Sequence, residues 1–331
     1  MAKYSAKYGL KKQRRWPHLT VVGLLLMGMG TTLYERIASS DTKLVLDSVN
    51  QALDQPAIVD AADELKLIDS LPWPAYGQAA YGVTNDGVLA TSSDQLEQVP
   101  IASLAKVITA LVVLDKKPLT LGEQGPQITF TADDEALYNE YVAKNGTVTP
   151  VKSGISISQY QALQAVLMHS ANNISDTLVI WAFGSMDAYI AYANEFAKER
   201  GLINTNIADA SGYSPDTKST AADMVKAGIL YVQNPVLKEI AQQPNAILPF
   251  AGAITNRNAI HNEEGVVGIK IGFTEEAGRT FMVADLRNES EKGISVASVL
   301  GAYAMPIAMR DAEALLRSGN MSHDGLAKPS H

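Results

Sequence analysis

The segment from Pro100 to Asp115, PIASLAKVITALVVLD, constrains this chain more than any other stretch. Ile101, Leu104, Ala105, Val107, Ile108, Ala110, Leu111, Val112, Val113 and Leu114 leave almost no polar face on the helix their spacing predicts, and a helix apolar all round is a buried one. Its interior polar side chains are Ser103, Lys106 and Thr109, spaced i, i+3, i+6, which stacks them along one edge. A lysine taken out of water either pays a heavy desolvation penalty or sheds its proton. Two readings are open at this point. Either the lysine snorkels and the serine caps the helix, or a desolvated Lys106 takes the hydroxyl proton of Ser103 and makes it a nucleophile. An S-x-x-K tetrapeptide occurs by chance in many chains, so context has to decide.

The 331 residues, 47% of them hydrophobic and with no long low-complexity tract, suffice to bury one large domain or two modest ones. The absence of cysteine excludes disulfides and thiolate metal centres. His18, His169, His261, His323 and His331 show no ligand spacing, so neither a metal nor a cofactor is expected. At the N-terminus, Lys3, Lys7, Lys11, Lys12, Arg14 and Arg15 precede the apolar run Trp16 to Tyr34 without a single acid. That run is long enough to span a bilayer, and its one-sided charge places the N-terminus in the cytoplasm and the rest outside. A cleaved signal peptide is the competing reading, but IASS at 37–40 is a poor cleavage site after Glu35 and Arg36. Beyond Arg36, 20 basic residues face 34 acidic ones, a net charge of −14, and nucleic acid is an improbable partner.

Residues 37–74 are polar with weak helical patches and read as a stalk. Ala75 to Ser93 is a strand, an Asn85-Asp86-Gly87 turn and a second strand, the pattern of a hairpin. Residues 127–151 look like short strands and loops around a tyrosine-rich insert, DDEALYNEYVAKNG. A Ser-capped helix, a break at HSANN, a second apolar helix, an amphipathic helix over 186–200 closed by Gly201, and a helix opened by Thr220 and Asp223 follow. GVVGIKIGFT, RTFMVADL and GISVASVL are strand-like, 306–317 is a closing helix, and the remainder reads as a loose tail. Hairpin, helical block, returning strands and helix make an α+β fold whose antiparallel sheet is assembled from both ends of the chain and packed with the helical block.

Three short motifs now stand in order: Ser103-Leu104-Ala105-Lys106, then Ser170-Ala171-Asn172 after 67 residues, then Lys270-Ile271-Gly272 after a further 100. They resemble the S-x-x-K, S-x-N and K-T-G elements of penicillin-recognising serine enzymes. IASLAKVITALVVLD, GLINTNIADASGYSPDTKSTAADM and GIKIGFTEEAGRTFMVA are similar to the low-molecular-weight penicillin-binding proteins of the D-alanyl-D-alanine carboxypeptidase family, and the resemblance covers roughly Ala75 to Arg317. It implies a β-lactamase/DD-peptidase-like fold and acyl transfer at the D-Ala-D-Ala end of peptidoglycan stem peptides, with β-lactams as the other ligands. It also implies roles. Ser103 is the nucleophile and Lys106 its base; Ser170 relays a proton to the leaving amine; Asn172 holds Lys106 and the substrate amide. Lys270 supplies the field for the terminal carboxylate beside Gly272, and the N–H groups of Ser103 and Phe273 form the oxyanion hole; Thr274, outside the motifs, is the nearby hydroxyl expected to compensate for Ile271.

The expected organisation is a basic tail and membrane anchor over 1–36, a stalk over 37–74, the catalytic domain over 75–318 and a flexible tail over 319–331, in a single-pass membrane protein whose catalytic domain is extracytoplasmic. Ile271 departs from the pattern, because the family carries Thr or Ser there and their hydroxyl helps bind the substrate carboxylate. Ile271 favours one rival, a catalytically silent, membrane-tethered binder of cell-wall peptide. A β-lactamase is disfavoured, since EALYN (135–139), the nearest match to its deacylating loop, precedes Ser170 instead of following it. Esterase or D-aminopeptidase relatives share the S-x-x-K machinery.

Overall fold

The computed structural model describes residues 69–92, 97–259, 264–287, 289 and 292–326. In chain order its elements are β1 (Gln78–Val83), β2 (Gly87–Thr91), β3 (Val99–Pro100), a 3-10 turn (Ala102–Leu104), α1 (Ala105–Lys116), β4 (Gln127–Thr129), α2 (Ala132–Ala143), β5 (Ser156–Ser158), α3 (Gln159–Leu167), α4 (Asn172–Phe183), α5 (Met186–Glu199), β6 (Lys218–Ser219), α6 (Ala221–Gln233), α7 (Pro235–Gln242), β7 (Asn245–Leu248), β8 (Gly252–Thr255), β9 (Val266–Thr274), β10 (Gly278–Asp285), β11 (Ser295–Ala302) and α8 (Met305–Leu326).

The main sheet has the order β2-β1-β11-β10-β9 and is antiparallel throughout. The N-terminal hairpin joins the C-terminal strands through β1 and β11, with Tyr81 opposite Ala297, so the sheet expected from both ends of the chain is present. Alternation along the strands gives it two apolar faces. Ala80, Met282, Ala284, Val296 and Leu300 meet Met224, Val225 and Ala227 of α6 and the helical block, while Tyr81, Phe281, Val283, Ala297 and Val299 meet Ala308, Ala312, Leu315 and Leu316 of α8. The result is three layers, with α1 inside the helical block, where it packs against α3, α4, α5 and α6. Its apolar circumference is accounted for by these neighbours: every residue from Ala105 to Leu114 is buried.

Three expectations need correction. The tyrosine-rich insert of 127–151 is the helix α2, not strand and loop. It has almost no apolar stripe, burying only Asp134 and Tyr141, so hydrophobic periodicity could not reveal it. What starts it is a capping box, in which the Asp134 carboxylate takes the N–H of Thr131 at 2.7 Å and its hydroxyl at 2.8 Å. Second, the expected tail from 319 onward is helical as far as Leu326. Gly319 lies flat on the Tyr81 ring, where a Cβ would come within 2.4 Å, and Asn320 accepts from Tyr81 Oη at 3.0 Å and donates to Asp285 at 2.8 Å. Third, the end of the expected stalk belongs to the folded unit: Leu71 is buried in the α8-side cluster and Trp73 packs against it. The anchor expected at 16–34 lies outside the described residues. Among the described residues no helix is long and apolar enough to cross a membrane.

The other oxygen of Asp134 accepts from Thr177 in α4, so one carboxylate both caps α2 and ties it to the helical block. Asp134→Ala is expected to destabilise the domain by about 2 kcal/mol, the sum of a lost cap and a buried hydroxyl left without its acceptor. A urea melt checks this as a lowered midpoint at unchanged slope.

Candidate active site

β3 pairs with β6, and the Ile101 N–H bonds Thr217 O at 3.3 Å, which fixes how the chain enters α1. Ala102 then adopts φ +47°, a left-handed conformation that costs a non-glycine residue on the order of 1–2 kcal/mol. It turns Ser103 into the cleft on a 3-10 turn just ahead of α1, whereas the sequence suggested one continuous helix. One turn on, Lys106 is wholly buried. Its Nζ donates to Ser103 Oγ at 2.9 Å, to Asn172 Oδ1 at 2.7 Å and to the Ser211 carbonyl at 2.7 Å. Burial pushes the ammonium down to about 7, while the charges of Asp209 and Asp176 act in the opposite sense. The geometry decides which proton it loses. Amide and carbonyl oxygens have none to give, so the neutral amine keeps two N–H bonds on Asn172 and Ser211 and turns its lone pair to the Ser103 hydroxyl.

Asn172 is the first residue of α4 and is held there by its own N–H to Thr147 O at 2.8 Å. The chain reaches it through Ser170, itself at φ +65° and almost fully buried. Strained backbone thus flanks both the first and the second motif. Ser211 is held by a loop that folds around Asp209, whose carboxylate accepts from the Ser211 hydroxyl at 2.8 Å and from the N–H groups of Gly212 at 3.1 Å and Tyr213 at 2.9 Å.

Across the cleft runs β9. Lys270 is wholly buried and donates to Ile271 O at 3.0 Å, with Asn258 Oδ1 at 3.5 Å. Burial, then repulsion from Lys106 and Arg257, holds its proton affinity well below the usual lysine range. Gly272 is where the strand presses on Ser103: a Cβ there would stand 2.9 Å from Ser103 N and 2.4 Å from Thr280 Oγ1. Ile271 N–H is anchored by Asn258 Oδ1 at 2.9 Å, and its side chain, like that of Met305, packs against the α8-side cluster. Phe273 is half exposed, with the Arg279 guanidinium stacked 3.2 Å from its ring centre. Thr274 Oγ1 accepts the Ala277 N–H at 3.1 Å, which leaves its hydroxyl proton available to a ligand.

Ser103, Ser170, Asn172, Gly272, Phe273 and Thr274 therefore line one cleft of about 360 Å3, together with Ile271, Thr147, Tyr213, Arg257, Arg279 and Met305. Lys106 and Lys270 stand behind its wall. His169 is half buried and does not line the cleft; burial, then Arg257 and Lys270, depresses its proton affinity. Glu135 of EALYN is turned elsewhere, accepting from Ser153 N at 2.6 Å with Lys152 at 3.5 Å. Sequence reasoning missed Asn258, Arg257, Arg279 and the Ser211 carbonyl. A carbonyl has no sequence signature, but the turn-forming run ADASGYS around Asp209 was a visible signal of a tight loop.

A family model for peptidase S11, D-alanyl-D-alanine carboxypeptidase, matches residues 83–303. The chain belongs to this carboxypeptidase family. It is 29% identical over 236 residues to a D-alanyl-D-alanine endopeptidase of Pseudomonas aeruginosa, covering 69% of this chain and 73% of that protein. It is 30% identical over 210 residues to the D-alanyl-D-alanine carboxypeptidase DacB2 of Mycobacterium tuberculosis, covering 61% and 68%. Among solved structures, a D-alanyl-D-alanine carboxypeptidase of Mycobacterium tuberculosis H37Rv superposes with a TM-score of 0.63 at 26% identity, over 79% of this chain and 96% of the other. The Streptomyces K15 DD-transpeptidase, at 19% identity, shares the fold, with a TM-score of 0.66 over 76% and 99%. The low-molecular-weight penicillin-binding protein expected from the three motifs is thus the family found, and the α+β fold is the one its structures share.

In this carboxypeptidase family member Gly272 sets the distance between β9 and Ser103. Gly272→Ala is expected to displace the strand and lower the rate of acylation by β-lactams by about 100-fold, the penalty of roughly 1 Å of misplacement. Stopped-flow acylation with a fluorescent penicillin, beside a thermal melt showing a folded protein, checks this.

Proposed function

We propose that the protein is a serine-type D-Ala-D-Ala carboxypeptidase of peptidoglycan stem peptides in which Ser103 and Lys106 form the acylating pair. One observation carries the assignment: a wholly buried lysine 2.9 Å from the Ser103 hydroxyl, whose two other partners can only accept. Neutral Lys106 takes the Ser103 proton as Oγ attacks the carbonyl carbon of the penultimate D-Ala. The charge gathering on the carbonyl oxygen is met by the N–H groups of Ser103 and Phe273, on the two segments that Gly272 allows to approach. The tetrahedral intermediate collapses as the proton held by Lys106 passes through Ser170 to the leaving nitrogen, releasing D-Ala. Water then attacks the ester, Lys106 takes its proton, and Ser103 is restored with the shortened peptide as product.

Lys270 supplies positive potential for the terminal carboxylate from behind β9. Ile271 offers it no donor, so Thr274 is the hydroxyl on this strand with a proton to give. A β-lactam enters the same path, except that its leaving nitrogen stays tethered in the opened ring and the whole drug remains on Ser103. Relatives named both carboxypeptidases and endopeptidases support a cross-bridge substrate as a second reading of the same chemistry. The basic flank before Trp16 to Tyr34 supports anchorage in the cell membrane with the catalytic domain on the outer side.

Incubation of the full chain with benzylpenicillin is expected to add one drug mass on the Ser103 peptide and none in Ser103→Ala; labelling of that variant overturns the assignment. The rate of labelling should fall as pH drops through about 7, because Lys106 gains a proton and can no longer accept one. Ile271→Thr should raise kcat/KM for D-Ala release at least about tenfold, the worth of one hydrogen bond to a charged group. A measured loss instead would mean that the apolar wall, and not a hydroxyl, serves the substrate.

A further inference from the structure

α4 holds a second buried ionisable group, one that the acylation chemistry leaves unused. Asp176 lies one turn beyond Asn172 and is 6% exposed. Its Oδ2 accepts from the Tyr141 hydroxyl of α2 at 2.8 Å, while its Oδ1 is buried and has no hydrogen-bond partner among the described residues. A carboxylate in that condition is unstable as an anion. Burial accordingly pushes it up to about 7, with the Tyr141 bond working the other way.

The groups facing it come from four directions. Tyr141 and Glu140 stand on α2 with Lys144 at its C-terminal end, Asp209 on the loop before β6, Lys106 on α1, and Tyr189 on α5, where it senses the Asp176 charge. Two of these are cations: Lys144 is exposed and paired with Glu140, and the buried one is Lys106. Two routes tie Asp176 to it. Along α4, Asn172 holds Lys106 Nζ at 2.7 Å. Through α2, the Tyr141 hydroxyl also meets the Ser211 side chain, and the Ser211 carbonyl holds the same Nζ at 2.7 Å.

We propose that Asp176, supported by Tyr141, is a positioning residue for the reaction that governs the charge state of Lys106 without touching substrate. The proposal rests on the Ser103–Lys106 reading above. With one proton between them, the pair has two forms: Asp176 anion beside Lys106 ammonium, and Asp176 acid beside Lys106 amine. The second form acylates; the first does not, because its lysine has no lone pair. Each proton that leaves Asp176 therefore draws Lys106 towards ammonium, and the pair releases its two protons in two joint steps.

The test is the pH profile of benzylpenicillin acylation in wild type, Asp176→Asn and Tyr141→Phe. Asparagine keeps the shape and accepts from Tyr141 but cannot become an anion, so Lys106 loses its proton at lower pH. The acid limb should move down by about one pH unit, the size of an ordinary neighbouring-charge effect, and the rates should converge above pH ~9, where Lys106 is neutral in both. Tyr141→Phe removes the donor that supports the Asp176 anion and should move the limb the same way by less; it stands in if Asp176→Asn does not fold. Limbs that coincide in all three proteins, or a rate lowered by one factor at every pH, overturn the proposal and leave Asp176 a structural residue. No adduct on Ser103 of the wild type at any pH overturns the acylation reading itself, and this proposal with it.

Discussion

Everything in this site follows from the burial of one ammonium group. A lysine with no access to water needs an acceptor for each of its three protons, and the chain supplies them from three separate places: Ser103 on the 3-10 turn, Asn172 at the start of α4 and the Ser211 carbonyl on the loop before β6. Each acceptor has its own support. Ser103 is aimed by the left-handed Ala102, Asn172 by its N–H bond to Thr147, and Ser211 by the turn wrapped around Asp209. The helical block is the frame that keeps these segments in register around α1. The same desolvation that makes the lysine expensive to bury lowers its proton affinity to near neutrality.

The sheet contributes the other wall. β9 is an edge strand that lies against the 3-10 turn before α1, and glycine at 272 is what lets the backbones meet. Lys270 is buried on that strand, and burial, then Lys106 and Arg257, makes its charge costly. An anionic ligand in the cleft relieves that cost. Ile271 changes the side chain offered to that ligand but not the strand, because the Ile271 N–H is tied to Asn258 and the partly buried side chain rests against the α8-side cluster while still lining the cleft.

Where sequence reading failed, the failures share one cause. α2 has no apolar stripe, and its signal was the Thr131–Asp134 capping box at its start. The end of α8 reads as polar tail because Gly319 and Asn320 are poor helix residues. They are helical because the Tyr81 ring needs the space at 319, and Tyr81 and Asp285 need the amide at 320. Asn258, which serves both Lys270 and Ile271, is one asparagine among many until the sheet brings it beside β9.

By itself the sequence determined the coarse order of hairpin, helical block, returning strands and closing helix, the two-ended sheet and the three motifs. These depend on local spacing: an apolar circumference, a two-residue alternation, a serine one turn before a lysine. Only the tertiary structure decided what those residues become. That Lys106 is wholly buried and does not snorkel to water depends on a carbonyl 105 residues away. That Asp176 has one oxygen on Tyr141 and the other without a hydrogen-bond partner among the described residues depends on how α2 and α4 pack. The 2.7 Å contacts from Lys106 to Asn172 and to the Ser211 carbonyl join segments remote in sequence and arise when the core closes, and charge states follow from them and from the water that closure excludes.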